Sequence, residues 1–166
     1  MKFRLIELDL SGEKTKIYSP EILGEIKTLY EKFIEENSVV HEKEVLNLDT
    51  RLEMIGYETG LFEESFDMGA GQFSENLCTL KDRPKRKLRL FFIEYMLRKA
   101  IILGGGGEKP STARATQDVP KLIQENRLLG LISRTIQKAE KYGDFEINEA
   151  GLLEPLDFIF DTEKYG

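Results

Sequence analysis

The apolar positions of this chain change period several times, and each change marks an element. In "MKFRLIELDL", Phe3, Leu5 and Glu7 alternate against Arg4, Ile6 and Leu8, which predicts a strand that is partly apolar on both sides. A turn at Ser11–Lys14 and an extended "TKIY" follow. From Ser19 to Asn37 the period lengthens: Ile22, Ile26, Leu29 and Phe33, flanked by Leu23, Tyr30 and Ile34, form one broad stripe. Ser19 as N-cap, Pro20 at the first helical position and Glu21 in the first turn place the helix start there. Val45, Leu48, Leu52 and Ile55 predict a second helix within 41–60, with Gly60 as its stop. Residues Asn37–Val40 would join the two as an antiparallel pair.

The pattern breaks between Leu61 and Gly71, where Phe62 and Phe66 are the expected anchors and "MGAGQ" a turn. Three short strands are expected next, in "ENLCTLK", "KLRLFFIEYM" and "KAIIL". In the second of these, Arg89, Phe91, Ile93 and Tyr95 share one face and Leu88, Leu90 and Phe92 the other. The links "DRPKRK" and Leu97–Lys99 are short enough for an antiparallel meander. A long helix is expected over 118–143, with Asp118 as N-cap, a stripe of Leu122, Leu129, Ile132, Ile136 and Ala139, and Gly143 at its end. Strand-like pieces at Phe145–Ile147 and Leu156–Phe160 close the chain. The fold class is therefore α+β: a small antiparallel meander with an N-terminal strand, a two-helix hairpin and a long C-terminal helix, in a single domain over 1–166.

Composition adds three constraints. The 166 residues suffice for one domain with a substantial core. A single cysteine, Cys78, excludes an internal disulfide and speaks against a Cys-based metal site. "MKFRLIELDL" carries charges inside its apolar run, unlike a signal peptide, and no apolar stretch approaches the roughly 20 residues that span a bilayer. A cytoplasmic protein without membrane association is expected. The net charge of −6 is unevenly placed: Lys81–Arg114 holds ten basic and three acidic residues, a local +7 that leaves −13 for the rest. A basic centre in an acidic chain points to a local anion site; the alternative is a solvated hairpin edge whose charges discourage edge pairing.

The stretch "KAIILGGGGEKPSTAR" invites a phosphate-loop reading. Gly107 is followed by Glu108 and Lys109 by Pro110, so neither the P-loop nor the dinucleotide-binding spacing is met. A bulge or turn is the plainer expectation, with close phosphate approach through the glycines as the weaker one. The sole histidine, His41, is expected at the surface near a helix start, and Cys78 in an apolar strand is expected to pack inertly. No metal and no cofactor are expected. The remaining constellation is basic: Arg83, Lys85, Arg86, Lys87, Arg89, Arg98, Lys99, Lys109 and Arg114, with Tyr95, Phe91 and Phe92 on one strand to stack a nucleic-acid base or, for at least two of them, to pack in the core.

The order of elements over Met1–Arg114 and the motifs within Leu77–Thr112 resemble the RelE/HigB family of toxin–antitoxin toxins, small bacterial mRNA interferases with a β-α-α-β-β-β core. "ENLCTL" is similar to the strand that opens that meander. "RKLRLFFIEY" is similar to the next, with Arg89 as its arginine between apolar residues. "AIILGGGGEKPST" is similar to the last strand and its exit, with Lys109 and Thr112 in place and glycines where the family usually has an aromatic residue. Residues 115–166 extend past the usual end. The resemblance implies a metal-independent endoribonuclease cutting ribosome-bound mRNA by attack of the 2′-oxygen on the adjacent phosphate. It assigns catalysis to Arg89, Lys109 and Lys87, RNA contact to Arg83, Lys85, Arg86, Arg98, Lys99, Arg114 and Tyr95, and implies an antitoxin protein as partner. The alternative is a non-catalytic protein-binding module, or a phage or defence accessory protein, on the same fold.

Overall fold

A computed structural model describes residues 1–61, 67–68, 76–112 and 119–166, with backbone alone for Asp67, Met68 and Met96. The strands are β1 (Lys2–Glu7), β2 (Lys16–Ile22), β3 (Asp67–Met68), β4 (Leu77–Lys81), β5 (Leu88–Tyr95), β6 (Ala100–Glu108), β7 (Glu146–Ile147), β8 (Leu153–Glu154) and β9 (Phe160–Asp161). The helices are α1 (Leu29–Asn37), α2 (Glu42–Met54), α3 (Pro120–Lys141) and the single turn α4 (Thr162–Tyr165). Seven strands make one sheet in the order β3-β4-β5-β6-β2-β1-β9, and β7 pairs with β8 apart from it. Every pairing is antiparallel except β2 with β6. The fold is thus mixed α+β, with the antiparallel meander β4-β5-β6 and the long C-terminal helix in the expected places.

The alternation along β5 sets the layers. Leu88, Leu90 and Phe92 pack with Tyr30, Phe33, Val45, Leu48 and Leu52 of α1 and α2. Phe91 and Ile93 face the other way and pack with Leu122, Leu129, Ile132 and Ile136 of α3. Both faces of the sheet are therefore covered, and Phe91 and Phe92 are core residues rather than surfaces for a base. Each fully buried Leu, Ile or Phe contributes about 1.5–3 kcal/mol, so the second layer is integral to stability. The tail belongs to it too. Phe160 stacks on Phe3 at 4.9 Å between ring centres, Phe145 and Phe158 meet Phe160 edge-on, and the Met1 amino group donates to Thr162 Oγ1 at 3.0 Å.

Three expectations are corrected. The first concerns 19–37: Ser19–Ile22 is strand, and the helix begins at Leu29. Its start is a capping box, in which the Thr28 hydroxyl accepts from Glu31 N and the Glu31 carboxylate from Thr28 N. Ser19 still serves that helix from a distance, accepting from Tyr30 N at 3.0 Å while donating to Leu103 O at 2.7 Å. Pro20 is tolerated because the β2–β6 ladder has ended at Tyr18. Ile26, placed on the apolar face by periodicity, is 92% exposed. The second concerns the glycines: β6 runs through all four instead of ending before them, while the bulge expected there is present and shifts the register between Leu90↔Gly106 and Phe92↔Leu103. The third concerns the tail, where the strands lie at 153–154 and 160–161 and Leu156 is exposed. Phe62, Phe66 and Asp118 lie outside the described residues.

The glycine run has a packing reason. A Cβ at Gly104 would lie 2.8 Å from Leu129 Cδ2, and one at Gly105 2.8 Å from the Glu125 carboxyl carbon. The glycines let α3 lie directly on the strand. No helix among the described residues is long and apolar enough to cross a membrane.

Candidate anion-binding turn

Antiparallel hairpins send successive links to opposite ends of the sheet, and this divides the basic residues. The β4–β5 link, 82–87, and the exit of β6 at Lys109 lie at one end. The β5–β6 link, with Arg98 and Lys99, lies at the other, about 23 Å away along β5 at roughly 3.3 Å per residue. Arg114 lies outside the described residues.

At the first end Arg83, Lys85, Arg86 and Lys87 are all exposed, yet the backbone that carries them is tightly held. Asp82 is buried; its Oδ1 accepts from Leu88 N at 2.6 Å and its carbonyl from Arg86 N at 3.1 Å. Asn47 Oδ1 accepts from Arg83 N at 2.8 Å, and Arg51 donates to the Lys81 carbonyl, tying the turn to α2. Lys109 N donates to Lys87 O at 2.8 Å and extends the β5–β6 ladder by one step. The Arg83–Pro84 peptide is cis, and Arg86 sits at φ 55°. A cleft of about 110 Å³ separates this turn from α2, between Lys43 and Glu44 on one side and Arg83, Pro84 and Lys85 on the other.

Arg89 lies beneath the turn rather than on it. It is 7% exposed and on the α3 face, and its Nη1 donates to Arg86 O at 2.6 Å and Leu88 O at 3.1 Å. A guanidinium hydrogen-bonded to backbone carbonyls rigidifies the loop above it. Lys109 is half-buried at the strand exit, on the strand neighbouring Arg89, whose pairing partner is Gly107. Lys87 reaches Glu44 Oε1 at 3.8 Å. His41 corrects another expectation: it is buried at the N-terminus of α2, with Nε2 3.6 Å from Glu108 Oε1. Its burial depends on β6 arriving beside α2, which no local pattern records.

At the second end, Arg98 pairs with Glu140 at 3.0 Å and donates to Ile147 O at 2.8 Å. Tyr95 lies on the α3 face beside Glu140 with its hydroxyl oxygen buried. Burial, and next the Glu140 charge, push its ionisation well above the ordinary tyrosine range. Burial also raises the Glu140 carboxyl, against the opposing pull of Arg98. Cys78 is buried, and desolvation, with the Glu94 charge second, lifts its thiol to about 12.

The structure thus brings together Arg83, Lys85, Arg86, Lys87, Arg89 and Lys109, and separates Arg98, Lys99 and Tyr95 from them. The residues that hold the turn, Asp82, Asn47 and Arg51, are additions to the sequence reading; only Asp82, one residue before Arg83-Pro84, carried a turn signal. Among the described residues, no group of three or more His, Cys, Asp or Glu side chains is placed to hold a metal ion. No protein-family model, curated protein or solved structure matches this chain.

Proposed function

We propose that this is a RelE/HigB-like, toxin-type RNA-contacting protein whose contact surface is the turn Arg83–Lys87 together with Lys109. The observation that carries the reading is the turn itself: four exposed cations in five residues, on a backbone fixed by Asp82, Asn47, Arg51 and Arg89. Pre-set cations engage phosphates without the ordering cost that a mobile lysine tract would incur. In this reading Lys87 and Lys109 are the cations that reach a scissile phosphate in ribosome-bound mRNA: the 2′-hydroxyl gives its proton to water and bonds to phosphorus as the P–O5′ bond breaks, the 5′-oxygen takes a proton from water to leave a 5′-hydroxyl beside a 2′,3′-cyclic phosphate, and one of the lysines stabilises the charge that builds on the phosphate. Arg89 is a positioning residue that shapes the loop. An antitoxin would mask the same turn, and its charge complement would be acidic.

A second reading, a non-catalytic binding module, is favoured by one observation: the guanidinium expected to act in catalysis is directed at Arg86 O and Leu88 O. Inducible expression in a bacterial host separates the two, with cleavage of ribosome-bound mRNA mapped by primer extension. The toxin reading predicts growth arrest and cleavage that Lys87→Ala and Lys109→Ala reduce. RNA binding without cleavage selects the module reading. Neither binding nor cleavage refutes both.

A further inference from the structure

The opposite end of the sheet carries a second feature, independent of the turn. A cavity of about 420 Å³ is lined by Glu13, Lys14, Thr15, Thr59, Gly60, Leu61 and Lys99. Its two lysines come from different loops: Lys14 from the β1–β2 link and Lys99 from the β5–β6 link. Thr15, one of its lining residues, is 1% exposed, and its hydroxyl oxygen is buried without a hydrogen-bond partner. Buried hydroxyls without partners are rare because each forfeits its hydration.

The walls are built with unusual care. Residues Ile55–Thr59 form a π-helical turn continuing α2, a rare geometry that recurs at functional sites. The Gly56 carbonyl in that turn accepts from both Lys14 N (2.9 Å) and Thr15 N (3.1 Å). The two chains touch through glycine: a Cβ on Gly12 would fall 2.6 Å from the Gly56 carbonyl carbon and 2.8 Å from Tyr57 Cα. Lys99 is held at φ 54°, where a non-glycine residue is disfavoured, by donation from Lys16 N to its carbonyl at 2.8 Å. Non-glycine residues in that region persist where the surroundings over-determine them, and they cluster at ligand sites.

We infer that this cavity is a binding site for a phosphate monoester, with Lys14 and Lys99 contributing charge from two loops and the Thr15 hydroxyl a hydrogen bond. A phosphate dianion matches two ammonium groups set against the single carboxylate of Glu13, and its several acceptor oxygens match an unpartnered donor. The cavity suits a small molecule or the end of a chain; a duplex does not fit it.

Amide shifts in ¹⁵N-labelled full-length protein, titrated with sodium phosphate against sodium chloride at equal ionic strength, locate the site. The expected result is saturable shifts at the amides of 13–15, 59–61 and Lys99. The apparent affinity falls about tenfold in Lys14→Ala and again in Lys99→Gly, in keeping with one charge-assisted contact each. Lys99→Gly also suits its φ, so loss of folding does not confound it. Thr15→Val raises the melting temperature of the phosphate-free protein and abolishes the further rise that phosphate gives the wild type. A 5′-phosphorylated trinucleotide, compared with its 5′-hydroxyl form, tells a chain end from a free small phosphate; saturation of these amides by either supports the site. No shifts there, shifts confined to 83–87 and Lys109, or affinity unchanged in the Lys14→Ala/Lys99→Gly double variant would overturn the inference. Lys85→Gln/Lys87→Gln leaves these shifts intact, which separates this site from the RNA-contacting turn.

Discussion

Gly106→Ala tests the geometry of the glycine run directly. Gly106 pairs with Leu90 beside the β6 bulge. A Cβ there would lie 2.8 Å from the Arg89 carbonyl carbon and 3.1 Å from Leu90 Cα, and nearer still to the Arg89 oxygen. Those are backbone atoms of β5, buried between two helical layers, so no side chain can swing aside. Relief requires β5 and β6 to separate, which costs the ladder hydrogen bonds around Leu90↔Gly106, about 1 kcal/mol each, and overpacking strain of about 1–3 kcal/mol. The loss of glycine freedom in the unfolded chain returns only about 0.4–1 kcal/mol. The net expectation is a destabilisation of about 3 kcal/mol, read as a fall of about 10 °C in melting temperature for a domain of this size. Gly107→Ala is the internal control. Its Cβ would meet Lys121 Cγ at 3.3 Å, on a long side chain that can give way, and Leu122 Cδ2 at an ordinary contact distance of 3.7 Å. That variant should stay within about 1 kcal/mol of wild type. Urea denaturation followed by circular dichroism measures both. Equal stability of the two variants would refute the argument that β6 passes through its glycines at van der Waals contact with β5.

Arg86→Gly should act in two directions at once: relieving a positive φ stabilises by about 1 kcal/mol in thermal melts, while RNA affinity falls. Glu140→Gln should change the shape of the pH–stability curve. Burial raises the native carboxyl above its unfolded value, so the native state holds the proton more tightly; wild-type stability then declines as pH rises from the ordinary glutamate range through the native one. The variant should lack that decline in melts run across pH, and an unchanged curve counts against it. Cys78, with its thiol lifted to about 12, should resist iodoacetamide in the native protein at pH 8 and react only on unfolding, as mass spectrometry would show.

Much of this fold was legible because its signals are local. The two-sided alternation in "KLRLFFIEY" placed Leu88, Leu90 and Phe92 in one layer and Phe91 and Ile93 in the other, and the α3 stripe of Leu122, Leu129, Ile132 and Ile136 proved to be its buried face. The helix start at Ser19 failed for a physical reason. Ser-Pro-Glu is a helix-opening sequence wherever the following residues can pack, but here Ile22 pairs with Phe3 and the capping box at Thr28 makes the stronger start. The glycines read as an exit because nothing local announces a helix 15–25 residues later that needs their bare surface. The basic cluster looked continuous along the sequence and is split in space because hairpin links alternate between sheet ends. Arg89, an arginine among apolar neighbours to which the resemblance assigns catalysis, is buried beneath the turn, and its Nη1 donates to the Arg86 and Leu88 carbonyls.

The central claim is that the turn 83–87 is a preorganised phosphate contact. Fluorescence anisotropy with a labelled single-stranded RNA, across a series of salt concentrations, tests it most directly. Wild type is compared with Arg83→Gln/Lys85→Gln/Lys87→Gln, whose side chains are all at the surface and whose backbone anchors, Asp82 and Asn47, are untouched. Each lost phosphate contact flattens the plot of log affinity against log salt by about 0.7 for single strands, so the triple variant should bind more weakly with a slope shallower by about 2. Equal affinity and equal slope would contradict the account.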